Sequence, residues 1–283
     1  MINWNFKRWC MKYQTLFVTA AMAVSSGIFI CFLYVNPYEG KITLSEHILQ
    51  LSGSRGRFAL SFSFAELVSF ATRMVPEYIF QAYLGMFFYR RFCTASIYIF
   101  SRHTKKTKWY LREAGAIGIY SCFFQIIFLC TTVLAASLRF YMRIDKTGLL
   151  LAFGHLLLHA IWNYTMAITI NLTAIKFGSS TAFTSVIILQ AACTALLGAG
   201  RYADTSGIAA DILWANPISH LVIGWHKNGL KNISRPFDRE NFILDWRVSL
   251  ALYAFLCITA ILAGAIIVKR HDILVSNVEK EAV

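Results

Sequence analysis

The stretch TGLLLAFGHLLLHAIWNYTMAITINLTAI, residues 147–175, decides the class of this chain. It runs between Lys146 and Lys176 without one Asp, Glu, Lys or Arg. A helix needs about 20 apolar residues to cross the hydrocarbon core of a bilayer. At about 1.5 Å rise per residue this stretch is long enough. Inside it His155, His159 and Asn163 recur at intervals of four, which places them in one stripe on one helix face.

Working outward, four more charge-free stretches pass the same test. They lie between Lys12 and Glu39, Glu113 and Arg139, Lys176 and Arg201, and Arg247 and Lys269. The first follows Lys7, Arg8 and Lys12 as a signal peptide would. Its apolar run is too long for that, and no convincing small-x-small cleavage site precedes Asn36-Pro37, so it reads as a permanent span. A sixth is interrupted: Phe58 to Tyr89 is apolar but contains Glu66, Arg73, Pro76 and Glu77. The expectation is an amphipathic helix over about 58–72, then a short span over about 74–90. Arg73 and Glu77, four apart, would pair at the outer surface.

Composition agrees. Residues of the set AVILMFWYC make up 57% of the chain and charged ones 14%, against about 25% charged in a soluble domain. The mean hydropathy is +0.55. A soluble enzyme and a disordered chain are both excluded. The fold class expected is an all-α integral membrane protein, a single polytopic domain over 1–283. Its six spans fall at about 14–35, 74–90, 114–138, 148–171, 178–199 and 248–268.

The net charge of +13 would suggest nucleic acid in a soluble protein. Here it is read as cytoplasmic retention and attraction to anionic lipid, with no nucleic-acid partner. Seven Lys or Arg and no acid lie between Arg90 and Arg112, so residues 90–112 and both termini are expected in the cytoplasm. Arg139, Arg143 and Lys146 fall on the opposite side of this scheme. The long outer loop, 201–247, carries apolar patches around Asn216-Pro217. Two short re-entrant helices hinged at Pro217 would satisfy it, with Trp214 and Trp225 as interface anchors and His220 and His226 alongside.

Seven cysteines without a CxxC pair are neither a disulfide framework nor a zinc module. No GxxxxGK[ST] occurs, so the chain cannot hydrolyse ATP alone. The stripe of His155, His159 and Asn163 admits three readings: interhelical hydrogen bonding, a substrate path or gate, or catalysis with a metal. A HEXXH zinc motif would need Glu after the first histidine, where Leu156 stands. His159-x-x-x-Asn163 resembles one motif of the intramembrane metalloproteases that trim prenylated proteins. That resemblance implies bound zinc and a hydrolytic role for His159. The family's paired-glutamate motif, EExxxR, has no counterpart, since Glu66 and Glu77 stand apart.

Residues 90–112 read as a short apolar-aromatic helix between basic clusters along the cytoplasmic face. A second resemblance rests on FFYRRF (87–92), YIFSR (98–102), Lys108-Trp109-Tyr110, the NPISH–GWH segment (216–226) and Val268-Lys269-Arg270-His271-Asp272. These, with the six-span layout, resemble the permease subunit of bacterial ABC transporters of the type-two exporter class, in a Gram-positive branch associated with peptide antibiotics. The resemblance implies a coupling helix on Arg90, Arg91, Tyr98, Arg102, Lys105, Lys106, Lys108, Trp109 and Arg112. It implies a second permease copy, identical or paralogous, and a separate cytoplasmic ABC ATPase that holds ATP and magnesium. The chain itself would need no cofactor or metal and would not be an enzyme. It would move an amphipathic peptide or lipid-like substrate across the bacterial plasma membrane, with Arg73, Glu77, His155, His159 and Asn163 as interior polar residues. A third reading is a membrane immunity protein that binds a toxic peptide without transport.

Overall fold

A computed structural model describes residues 4–33, 41–52, 64–98, 106–198, 207–227 and 244–270. These form ten α-helices and no strand. They are α1 Trp4–Leu33, α2 Leu44–Leu51, α3 Phe64–Arg73, α4 Val75–Leu84, α5 Phe87–Tyr98, α6 Lys106–Phe140, α7 Lys146–Phe177, α8 Ser179–Leu196, α9 Gly207–Ala215 and α10 Trp246–Arg270. Two 3-10 turns, Pro217–Leu221 and Ile223–Trp225, lie between α9 and α10.

Among the described residues, five helical segments are long and apolar enough to cross a membrane: Tyr13–Leu33, Lys106–Phe140, Lys146–Phe177, Ser179–Leu196 and Trp246–Arg270. They coincide with the five uninterrupted stretches of the sequence, and the chain has the character of a multi-pass membrane protein. α7 is the hub, packed against α2, α4, α5, α6, α8 and α10, while α1 lies along α6. Close approach at the α1–α6 crossing needs a small residue. A Cβ at Gly27 would stand 2.9 Å from Thr131 Cβ. Arg139, awkward for the charge pattern, donates from Nη1 to the Cys31 carbonyl at 2.8 Å. It thereby satisfies a C-terminal carbonyl of α1.

The segment expected as a second span, 74–90, is instead divided among α4, a turn at Gly85–Met86, and the start of α5. Ten residues of α4 reach only about 15 Å, half the hydrocarbon thickness. Pro76 sits in the first turn of α4, where its missing N–H costs least. The break after Leu84 is mended from another helix. Asn171 of α7 donates from Nδ2 to the Leu84 carbonyl at 2.8 Å, and its Oδ1 accepts from Phe88 N and Tyr89 N at 3.0 Å each. Irregular backbone at membrane depth is tolerated where protein buries and satisfies it. Of the amphipathic helix expected over 58–72, the part from Phe64 is α3, and 58–63 lie outside the described residues.

α2 is fastened to the α6–α7 turn. Leu44 N donates to the Arg143 carbonyl at 2.9 Å and Arg143 N to the Ile42 carbonyl at 2.8 Å. Asp145 N-caps α7 by accepting from Gly148 N, and its other oxygen accepts from Ser45 N, each at 3.0 Å. One carboxylate thus serves two helix starts, where the partial positive charge of the amide ends favours an anion.

Candidate functional site

The stripe on α7 faces the interior: His155, His159 and Asn163 are all buried. α4 sets a matching pair against it, Glu77 and Gln81, also four apart and buried. Glu77 Oε1 contacts His159 Nδ1. This contact holds Glu77 in the core, on the α7 side of α4. The helix is interrupted at Met74, between Arg73 and Glu77.

An amide chain orients the next residue. Gln190 of α8 donates from Nε2 to Gln81 Oε1 at 2.7 Å, and Gln81 donates from Nε2 to Asn163 Oδ1 at 3.1 Å. With its carbonyl engaged, Asn163 presents Nδ2 as a donor. Among the described residues that Nδ2 has no partner, and the same holds for His159 Nε2, Glu77 Oε2 and both ring nitrogens of His155. The His155 and His159 rings stack with centroids 3.9 Å apart. From α2, His47 is fully buried and lies within electrostatic reach of His155. Burial pushes the His47 pKa down to about 4, so its ring is neutral at pH 7.

This arrangement can do acid–base work. His159 with Nδ1 held by a carboxylate keeps Nε2 as a proton acceptor, and Glu77 stabilises the imidazolium that forms when a proton arrives. Asn163 Nδ2, one turn along, is an oriented donor for a developing oxyanion. The metalloprotease resemblance implies zinc. Among the described residues, however, no group of three or more His, Cys, Asp or Glu could hold a metal ion. The donors around His159 do not fit such a site.

A second cluster gathers where the 3-10 turns between α9 and α10 meet α10. His220 Nδ1 and His226 Nε2 lie 2.7 and 2.8 Å from the buried Ser249 hydroxyl. The remaining nitrogens face the carbonyls of Trp214 and Val222 at 3.1 and 3.2 Å. Asn216 accepts from Ile218 N at 3.0 Å and donates to the Cys193 carbonyl at 2.7 Å, and Tyr253 donates to the Pro217 carbonyl at 2.8 Å. Trp214 is 38% exposed, whereas Trp225 is buried. Burial lowers the His220 pKa and brings that of His226 to about 4.

At the opposite end the basic segment is only partly described. Tyr98 is the last residue of α5, Arg102 and Lys105 lie outside the described residues, and Lys106 opens α6. Residues 96–98 continue α5 rather than starting a separate helix. Arg91 donates to Glu113 at 2.8 Å and lies over the Phe87 ring. Phe88 meets Tyr110 edge-on at 5.7 Å, and Phe92 lies 5.9 Å from Trp109. Arg90, Lys108 and Arg112 are exposed.

Comparison with protein-family models, with curated proteins and with solved structures returned no match.

Sequence reasoning found the α7 stripe but not the partners it needs. Gln81, Gln190 and His47 went unremarked. Gln81 was findable, because Glu77 and Gln81 repeat the four-residue interval of the stripe they face.

Proposed function

We propose that this chain is an intramembrane hydrolase in which Glu77 and His159 activate water and Asn163 stabilises the oxyanion. The observation that carries the reading is the meeting of the α4 carboxylate with the α7 histidine inside the bundle. Polar and ionisable residues within membrane spans are costly and commonly functional. His159 Nε2 takes the proton from water as oxygen attacks a carbonyl carbon, and Asn163 Nδ2 donates to the carbonyl oxygen as it gains charge. His159 then returns the proton to the leaving amine or alcohol. Gln81 and Gln190 hold Asn163 in the donating orientation. The substrate class is an amide or ester bond of a membrane-embedded chain.

The test is hydrolysis of membrane-embedded reporter peptides by the purified chain in proteoliposomes. Glu77→Gln and His159→Ala should each lower the rate about 10²–10⁴-fold, and Asn163→Ala about 10²–10³-fold. Full activity in Glu77→Gln would sink the reading.

A second reading keeps the chain as the membrane subunit of an ATP-driven transporter. It is favoured by the aromatic and ionic clamp of α5 on the base of α6, which would pass a stroke on residues 90–112 into the bundle. ATP and magnesium would then bind a partner ATPase, and two permease copies would pair. Charge reversal of Lys105, Lys106 and Lys108 tests it. Transport and ATPase association that both survive in correctly inserted protein would rule it out.

A further inference from the structure

We infer that His220, Ser249 and His226 form a one-proton site: the two rings take up a single proton between them, held across the Ser249 hydroxyl, and this site latches the 3-10 turns to α10.

Four contacts define the cluster. His220 Nε2 faces the Trp214 carbonyl at 3.1 Å, and His226 Nδ1 faces the Val222 carbonyl at 3.2 Å. The other two nitrogens, His220 Nδ1 and His226 Nε2, meet the Ser249 oxygen at 2.7 and 2.8 Å. Each contact needs one hydrogen between its two heavy atoms. Two neutral imidazoles bring one N–H each, and a serine brings one O–H. Three hydrogens are therefore present for four contacts.

Either neutral arrangement leaves a fault. If each ring gives its N–H to its carbonyl, both remaining nitrogens are acceptors, and one hydroxyl cannot serve the two. If His226 turns its N–H to Ser249 instead, its Nδ1 lone pair faces the Val222 oxygen. The Asp245 carbonyl, 3.2 Å from the Ser249 oxygen, does not need that hydroxyl, since it accepts from Ser249 N at 3.1 Å. One added proton supplies the missing hydrogen. Charged His226 then donates to the Val222 carbonyl and to Ser249, Ser249 donates to His220 Nδ1, and His220 donates to the Trp214 carbonyl. The count closes equally with the charge on His220 and the hydroxyl reversed. The proton comes from water, and only N–H and O–H bonds change.

The surroundings suit one charge and not two. Trp246 stacks on the His226 ring with centroids 4.3 Å apart, and an indole face attracts a cation. Asp245 at the head of α10 favours a charge on His226, while His220 opposes it. Tyr253 on α10 meets His220 edge-on at 6.4 Å. Lys227 and Arg247 are exposed. The elements packed against the turns carry Asp211 on α9, Cys193 on α8, His155 and His159 on α7, and Glu46 and His47 on α2. A second proton would set two like charges on buried rings that share one hydroxyl.

The latch has a definite sign. Opened to water, each histidine ionises at about pH 6.5, and burial holds both below that. Opening gains protons, so acid favours release of the turns. Because the closed cluster keeps one proton, release in acid takes up one more rather than two.

Full-length chain with isotope-labelled histidine in lipid nanodiscs tests the site, the ring-nitrogen chemical shifts of His220 and His226 being followed by NMR as pH is lowered. In the first acid step both rings should move together and take up one proton in total. His220→Leu leaves two hydrogens for two contacts, so His226 should charge about one pH unit lower, or ten-fold less readily. Crowding of charges alone demands the reverse, because His220 lowers the His226 pKa. Ser249→Ala should uncouple the rings, each then titrating alone. Melting curves show which variants fold, and Ser249→Ala carries the test if His220→Leu does not. The one-proton site is overturned if His226 in folded His220→Leu charges at the same pH or higher. It is overturned equally if the wild-type rings titrate independently, if the folded cluster takes up no proton, or if Ser249→Ala leaves the coupling intact.

Discussion

Glu77 and His159 stand 82 residues apart in sequence and touch inside the bundle. Alanine at either position leaves the other buried without its partner, at a cost of about 1–3 kcal/mol. The double variant Glu77→Ala/His159→Ala should cost less than the sum, by a coupling of about 0.5–3 kcal/mol. Denaturant or thermal unfolding of the four chains in one detergent measures it, and strict additivity would contradict the contact.

Asn171 should matter more for stability than any residue of the stripe. Its side chain satisfies the Leu84 carbonyl and the Phe88 and Tyr89 amides, and Asn171→Ala strands all three. At about 1–3 kcal/mol per stranded group, the loss should be the largest among single polar substitutions on α7. Asn171→Asp keeps the acceptor for both amides but loses the donor, and should fall between. Melting temperatures of the two variants rank the effect.

The α6–α10 crossing depends on an absent side chain. A Cβ at Gly264 would stand 2.1 Å from the Tyr110 hydroxyl oxygen and 2.5 Å from Cζ. Gly264→Ala should therefore cost about 1–3 kcal/mol through overpacking. Tyr110→Leu in the same chain should recover part of that, because it removes both contacting atoms. Unfolding midpoints of the single and double variants decide.

Acid should loosen the α2 end. His47 and His226 are both held near pKa 4 by burial, against about 6.5 in an unfolded chain. Between those values the unfolded state binds protons that the folded state refuses. Stability should therefore fall as pH drops from about 6.5 towards about 4 and level off below. His47→Gln and His226→Asn should each flatten the slope of melting temperature against pH, and an unaltered slope in both would count against burial as its cause.

Spans were legible where the signal is a run of residues. The five charge-free stretches are the five long helices, because hydrocarbon length is written locally. Residues 74–90 did not yield to the same rule. Pro76 marked a possible break, but the bend after Leu84 is supported by Asn171, far along the sequence. The α7 stripe was readable because helical periodicity is local. That a carboxylate would meet it was not, since Glu77 looked like half of an ion pair with Arg73. Only the packing of α4 on α7 brings Glu77 to His159.

Asp145 has a consequence for biosynthesis. The carboxylate that seats α2 is made 100 residues after Ser45. At synthesis rates of about 5–20 residues per second, α2 must wait roughly 5–20 s for its anchor to be translated. His47 is therefore delivered to the interior only after the α6–α7 turn has been made. A helix that stands second in the chain is thus seated only when the turn before the seventh has been made, so older residues of the polar core wait on younger ones.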